Sequence, residues 1–366
     1  MKNIGIITIH YGVNYGSVLQ SYALQEYLKQ KGNNAEIINY IPERYIKSNK
    51  ISLTKNGKLA FKELVYQIIT SKKKRKSLAT FEQFLSDNVS IGNKIYSFDE
   101  LSDISKKYDI LIVGSDQVWN SDYNAGVDAA YYLAFAKDNV VKIAYAASCG
   151  KESYTEDEWR KISGLLSGFK AISLREADMV DYFSDRGINA VHVCDPIFLL
   201  SDKEWEKLMD NSKRIQDEYL LIYCLDSDKD KLIRIGKSIA AQRGLKTVLV
   251  SYYSAFPNKN IDYLLEGCSP GIFLSLMKNA SFVVTNSFHG TAFSILFNKQ
   301  FVVAKRKKYN SRIDSLLTVF GLMNRYVDLD EHELTKPCID FREVNRAKTL
   351  FIDKSKLFIK ESIEVG

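Results

Sequence analysis

Short apolar runs, each closed by a glycine-containing or polar turn and followed by an amphipathic segment, recur along the 366 residues. Residues 4–9 are the first such run, and the turn Tyr11-Gly12-Val13-Asn14-Tyr15-Gly16 follows it. Ser17 then offers an N-cap for a helix through Lys31, with Val18, Leu19, Tyr22, Ala23, Leu24, Tyr27 and Leu28 at helical spacing. Gly32-Asn33 stops that helix, and residues 35–40 read as the next strand. A β-turn-α-β unit of this kind calls for a parallel sheet, because parallel neighbours need a crossover connection.

The pattern continues with strands expected at 109–113, 140–147, 171–174 and 191–193, then at 219–225, 246–251, 282–285 and 301–304. Helices are expected at 229–243, 272–279, 291–297 and 313–320, and residues 55–108 read as a lysine-rich, mostly helical insertion. A chain this long outgrows a single compact core. The expected fold class is therefore α/β with two Rossmann-like domains, residues 1–197 and 198–366, whose parallel sheets face a cleft; the last helix can pack back on the first domain.

Apolar content of 46% with 26% charged residues suits a globular protein, and no run approaches the ~20 apolar residues needed to span a bilayer. The opening residues read as a first strand and not as a targeting segment, so a cytoplasmic location is expected. Five scattered cysteines without a CxxC pair argue against a disulfide framework or a structural zinc site, and the four histidines lack metal-ligand spacing. A net charge of +7 favours anionic partners. The run Lys72-Lys73-Lys74-Arg75-Lys76 reads as a solvated face, or as a contact for a phosphate-rich membrane surface.

Ligands of open parallel sheets bind beyond the carboxyl ends of the strands, where Asn14, Asp116, Ser148, Arg175 and His289 are expected. His289 lies in Thr285-Asn286-Ser287-Phe288-His289-Gly290-Thr291, within a span (267–313) that has no Asp or Glu. Lys305, Arg306, Lys307, Lys308 and Arg312 follow it. A histidine at a strand-to-helix turn, with cations and no carboxylate nearby, suits a small anion and a proton moved beside it. Gly290 would let a ligand or backbone approach closely, and Ser287 and Thr291 could donate hydrogen bonds or cap the helix.

Arg175 brings a fork suited to carboxylate or phosphate, unless it pairs with Glu176 or Asp178. On the other side of the cleft, Asn14, Gln117 and Trp119 suit sugar hydroxyls and ring faces, and Asp116 could orient or deprotonate a hydroxyl. Structural roles are open to the same residues: Asn14 in a turn, Asp116 as a helix cap, Trp119 in the core. Cys149 has a weak claim as a nucleophile.

With those residues in place, the chain resembles the polysaccharide pyruvyl transferase family. The matching pieces run in order: Tyr11-Gly12-Val13-Asn14-Tyr15-Gly16 with Leu19-Gln20-Ser21-Tyr22-Ala23-Leu24, Val113-Gly114-Ser115-Asp116-Gln117-Val118-Trp119-Asn120, Ile172-Ser173-Leu174-Arg175-Glu176 and Cys194-Asp195-Pro196. Thr285 to Thr291 and Ser311-Arg312-Ile313-Asp314-Ser315-Leu316-Leu317 complete the set.

The resemblance implies a fold like that of the two-Rossmann-domain (GT-B) glycosyltransferases. It implies transfer of a pyruvyl group from phosphoenolpyruvate to two sugar hydroxyls, giving a ketal and phosphate. The family's essential histidine would be His289 and its phosphoenolpyruvate-binding arginine Arg175, with Lys305 or Arg306 completing the anion pocket. Ser287, Phe288, Gly290 and Arg312 are placed with the donor in the second domain. Asn14, Tyr15, Gln117 and Trp119 are placed with the acceptor in the first, and Asp116 acts beside His289. Phosphoenolpyruvate is then a co-substrate, with no metal, redox cofactor or nucleic acid expected; the sugar acceptor is lipid-linked, nucleotide-linked or polymeric. Two other readings stand beside this one: a nucleotide-sugar glycosyltransferase on the same fold, and a non-catalytic sugar-binding protein.

Overall fold

A computed structural model describes residues 1–45, 61–225, 229–252, 261–306, 310–327 and 336–364, with the backbone alone for 61–70. The first sheet contains β1 (Asn3–Ile7), β2 (Asn34–Ile37), β3 (Ile110–Val113), β4 (Val141–Ala147), β5 (Ala171–Leu174) and β6 (Val191–His192). The second contains β7 (Tyr219–Tyr223), β8 (Lys246–Ser251), β9 (Tyr263–Glu266), β10 (Phe282–Thr285), β11 (Gln300–Ala304) and β12 (Tyr326–Val327). Their orders are β2-β1-β3-β4-β5-β6 and β12-β11-β10-β7-β8-β9, and the pairings are parallel throughout.

The sequence dictates which strands take the middle. Ile110-Leu111-Ile112-Val113, Tyr219 to Tyr223 and Phe282 to Thr285 are buried at every position, as strands covered on both faces must be. β9, at one edge of the second sheet, has no fully buried residue. β9 and β12 were not anticipated; each is short, and their apolar residues do not stand out from the surrounding segments.

Helix starts differ from expectation in two informative places. The helix Tyr15–Gln30 is capped by Asn14, whose side chain accepts the N–H groups of Gly16 and Ser17; Ser17 therefore lies inside the first turn. Helix Phe288–Leu296 begins earlier than expected, capped by Ser287, so His289 sits in its first turn and not ahead of it. Both shifts aim polar side chains at the strand ends.

The two halves pack tightly against each other. Tyr15 stacks on Phe273 at 4.3 Å between centroids, and its hydroxyl donates to the Cys268 carbonyl at 3.0 Å. Ser77, on the helix Phe61–Asn88, donates to the Tyr252 carbonyl at 2.7 Å, and Lys73 pairs with Glu266 at 2.8 Å. The final helix Phe341–Glu364 crosses to the first sheet: Ser355 Oγ accepts the Cys194 N–H at 2.8 Å, and Phe351 lies 4.9 Å from the His192 ring. One apolar cluster runs through both halves, which fixes the strand ends of one sheet relative to those of the other.

Among the described residues no helix is long and apolar enough to cross a membrane.

Candidate active site

Four strand ends of the first sheet deliver Ser115 and Asp116 (after β3), Ser148 (after β4), Arg175 and Glu176 (after β5) and Asp195 (after β6). The second sheet delivers His289 on the helix after β10 and Arg312 on the helix Ser311–Val319. The centre of the group is Asp195. Its Oδ1 accepts the Ile197 N–H at 3.1 Å, capping the turn that begins at Pro196. Its Oδ2 accepts from Arg175 Nη1 at 2.6 Å and from Ser115 Oγ at 3.1 Å, and faces His289 Nε2 at 3.5 Å.

Burial alone would raise the Asp195 carboxyl; the facing His289 and the Arg175 guanidinium more than reverse this and hold it well below the usual carboxylate range. Charges this deep cost several kcal/mol each to desolvate, and the pair persists because its geometry and added hydrogen bonds offset that cost. Arg175 also lies over the Phe288 ring, 4.2 Å from its centroid, a cation–π contact that adds to its hold on this side of the site.

The donors left over define what the site can hold. Arg175 Nε and Nη2, Arg312 Nε and His289 Nε2 are buried without a hydrogen-bond partner, since 3.5 Å from Asp195 is ion-pair range and too long for a good hydrogen bond. Leaving a buried donor unsatisfied costs roughly 1–3 kcal/mol each. Arg312 is further strained: burial, then the like charge of Arg175, push its ionisation down to about 10, with Asp116 and Glu176 only partly compensating. Two guanidiniums and an imidazole with unpartnered donors, of which Arg175 and His289 share one carboxylate, suit a small ligand with more than one negative charge.

His289 also touches the first domain. A Cβ on Gly16 would stand 1.9 Å from His289 Nδ1, so the imidazole rests on the first turn of the helix Tyr15–Gln30. The next residue, Ser17, donates a short hydrogen bond to Asp116 Oδ2, while Gln117 N–H donates to Oδ1 at 2.9 Å. Asp116 takes φ 66°, a left-handed conformation that turns its carboxylate back to this helix start. His289 and Asp116 therefore bracket two consecutive residues. Behind them, Glu176 accepts from Ser148 Oγ and from the Cys149 N–H at 3.2 Å.

Several expectations need correcting. The acid-free surroundings of His289 hold along the sequence only, because Asp195 arrives from the other domain. Arg175 pairs with Asp195 and not with Glu176 or Asp178. Trp119 is 1% exposed, stacks on Tyr132 at 5.1 Å and donates Nε1–H to the Tyr131 carbonyl; it has no face left for a sugar. Tyr15 is likewise buried between the domains, and Asn14 is committed to capping. Gln117 accepts from Asn120 Nδ2 at 2.7 Å.

On the donor side, Ser287 caps its helix by accepting the Gly290 N–H at 3.3 Å. Gly290 is needed for packing and not for a ligand, since a Cβ there would stand 2.4 Å from Thr285 Oγ1. Lys305 is exposed with its ammonium 5.8 Å from the Tyr326 ring centroid, and Arg306 has its backbone tied to Asn310; Lys307 and Lys308 lie outside the described residues. Cys149 is fully buried, and burial pushes its thiol well up, which leaves it unreactive.

Asp195, Ser115, Ser17 and Glu176 were missed as site residues. The available signal was their place directly after a strand or in a helix's first turn.

Residues 14–306 match the sequence profile described as polysaccharide pyruvyl transferase. The chain belongs to that family. The match spans four fifths of the sequence and every residue of the cluster except Arg312. A member of this family is a transferase, and the family implies a polysaccharide or sugar acceptor. No curated protein matches the sequence. Among solved structures, the MnaA–UDP complex of S. aureus has a TM-score of 0.52 at 13% identity, covering 99% of this chain and 91% of that one. A UDP-GlcNAc 2-epimerase from Neisseria meningitidis gives 0.48 at 10% identity, covering 99% and 94%. At 13% identity the likeness to the MnaA structure concerns the fold alone, two parallel sheets of the GT-B type.

Proposed function

We propose that this pyruvyl transferase takes its pyruvyl group from phosphoenolpyruvate and bridges two hydroxyls of one sugar with it, leaving a pyruvate ketal and phosphate. The observation that carries the reading is the set of orphaned donors on Arg175 and His289 beside Asp195 and on Arg312 beside Arg175. Phosphoenolpyruvate has a carboxylate and a phosphate on adjacent positions of one small molecule, and two guanidiniums plus an imidazole answer both.

The chemistry requires a proton on the enol carbon and two new C–O bonds at its neighbour. His289 Nε2–H delivers the proton to C3, and Asp195 stabilises the imidazolium that supplies it. As C2 becomes electrophilic, one sugar hydroxyl attacks and loses its proton to Asp116, whose carboxylate Ser17 orients. The C2–O bond to phosphate then breaks, and the second hydroxyl closes the ketal. Of the two hydroxyl protons, one replaces that given to the methyl group and the other leaves with phosphate. Arg175 and Arg312 neutralise the carboxylate and the departing phosphate. We place the reaction in the cytoplasm, without a metal or redox cofactor.

The test is phosphate release from phosphoenolpyruvate in the presence of sugar acceptors, for wild type and His289→Ala. Acceptor-dependent release that vanishes in the variant supports the reading. Release from a nucleotide sugar instead would transfer the site to glycosyl chemistry.

A further inference from the structure

Burial of Trp119 and Tyr15 removes the aromatic faces that a sugar would rest on, yet an open one stands a few residues away. Tyr123 is 53% exposed. Its loop is held rigidly: Asn120 Oδ1 accepts the N–H groups of Asp122 at 3.0 Å and Tyr123 at 3.1 Å. Asn124 Nδ2 donates to the carbonyls of Gln117 at 3.2 Å and Val118 at 2.8 Å. Arg44 holds the far side through Asn124 Oδ1 at 3.0 Å and Asp128 at 2.5 Å. Lys151 holds the near side through Ser121 Oγ at 2.8 Å and Asp122 at 3.0 Å.

The loop that carries this ring is tied to the residue next to Asp116: Asn124 Nδ2 reaches the Gln117 carbonyl, and the Gln117 N–H reaches Asp116 Oδ1. Partial burial pushes the ionisation of the Tyr123 hydroxyl up to about 12, with smaller contributions from the Asp116 carboxylate and Tyr45 and an opposing one from Arg44. Tyr45 follows the Arg44 that braces this loop: its ring is 4.4 Å from that of Tyr11, and a Cβ on Gly12 would meet its hydroxyl at 2.2 Å. Tyr45 thus covers the turn that leads into Asn14 and Gly16, the ground on which His289 rests.

We infer that Tyr123 is the platform for the acceptor, a pyranose ring lying on its open face with its hydroxyls toward Asp116 and Tyr45. The inference rests on the proposed transfer to a sugar and names the surface that receives it. A tyrosine suits the task because the C–H face of a pyranose packs on an aromatic ring while the hydroxyls meet polar groups at its edge. A ring held in advance by its loop loses little further freedom on binding.

Saturation-transfer NMR with methyl glycosides of glucose, galactose, mannose and N-acetylglucosamine tests this on the full chain. Tyr123→Ala is compared with Tyr123→Phe, which keeps the ring, and with Tyr263→Ala, an exposed tyrosine of the second sheet (36%). Signal on the ring protons of at least one glycoside is expected with wild type, Tyr123→Phe and Tyr263→Ala, weakened about tenfold or more in Tyr123→Ala. Phosphoenolpyruvate affinity should be the same in all four. Equal signal in Tyr123→Ala, or no signal from any glycoside with wild type, overturns the inference. Loss of the donor reading would look different: glycoside signal intact, and no phosphoenolpyruvate binding in any variant.

Discussion

The imidazole of His289 rests on Gly16 so closely that a Cβ at residue 16 would stand 1.9 Å from Nδ1. The two residues belong to different domains, so the proton-carrying ring is positioned by the junction itself. Gly16→Ala should push the ring off its place with little damage elsewhere. A misplacement near 1 Å can reduce turnover about 10²-fold, and that is the loss expected in kcat, with a smaller change in donor KM. Steady-state kinetics of the variant decides the matter; unchanged kcat would mean that the contact does not position the ring.

Asp195 joins the site and its stability. Asp195→Asn removes the charge that Arg175 and His289 share, and breaking a buried pair this way costs about 3–5 kcal/mol. The folded-state ionisation of Asp195 lies below its unfolded value, so its contribution is complete above the ordinary carboxyl range near pH 4 and is lost as pH falls through the folded value. Urea unfolding should show a wide gap between wild type and variant at pH 7 that begins to narrow as pH drops below about 4. A gap that stays constant or widens on acidification contradicts the assignment.

Arg312 should behave in the opposite way. Its guanidinium feels the like charge of Arg175 and its buried Nε is unpartnered, so the folded protein tolerates it at a cost. Arg312→Met should melt at the same temperature as wild type or higher. Its affinity for phosphoenolpyruvate should fall at least about tenfold, as expected for a lost charge-assisted contact. A fall in melting temperature with donor affinity intact would make it a structural residue.

Trp119→Phe separates core from acceptor chemistry. The variant keeps an aromatic ring but loses the Nε1–H bond to Tyr131, leaving a buried carbonyl short of one partner. A loss of about 1–2 kcal/mol in stability is expected with the acceptor KM unchanged. An acceptor KM that rises without loss of stability would restore Trp119 to the sugar site.

Much of this architecture was legible in the chain because its strands are buried on both faces and read as unbroken apolar runs; 246–251 and 282–285 match β8 and β10 residue for residue. The site was legible where a residue follows such a strand, as with Arg175 and Asp116. What stayed hidden depends on pairings between distant segments. Asp195 is 94 residues from His289 in sequence, and nothing in Cys194-Asp195-Pro196 says that its carboxylate will reach both His289 and Arg175. Trp119 misled for the opposite reason: residue type suggested a ring face for sugar, and burial among Tyr132 and Phe183 depends on packing that spacing does not reveal.

The most direct test of the donor assignment needs no acceptor. Calorimetric titration of phosphoenolpyruvate, with UDP as the competitor ligand, should be run on wild type and Arg175→Lys. Saturable phosphoenolpyruvate binding by wild type, weakened at least about tenfold by the loss of the planar fork, with UDP binding weaker or absent, is the predicted result. Tight UDP binding without any heat from phosphoenolpyruvate would contradict it.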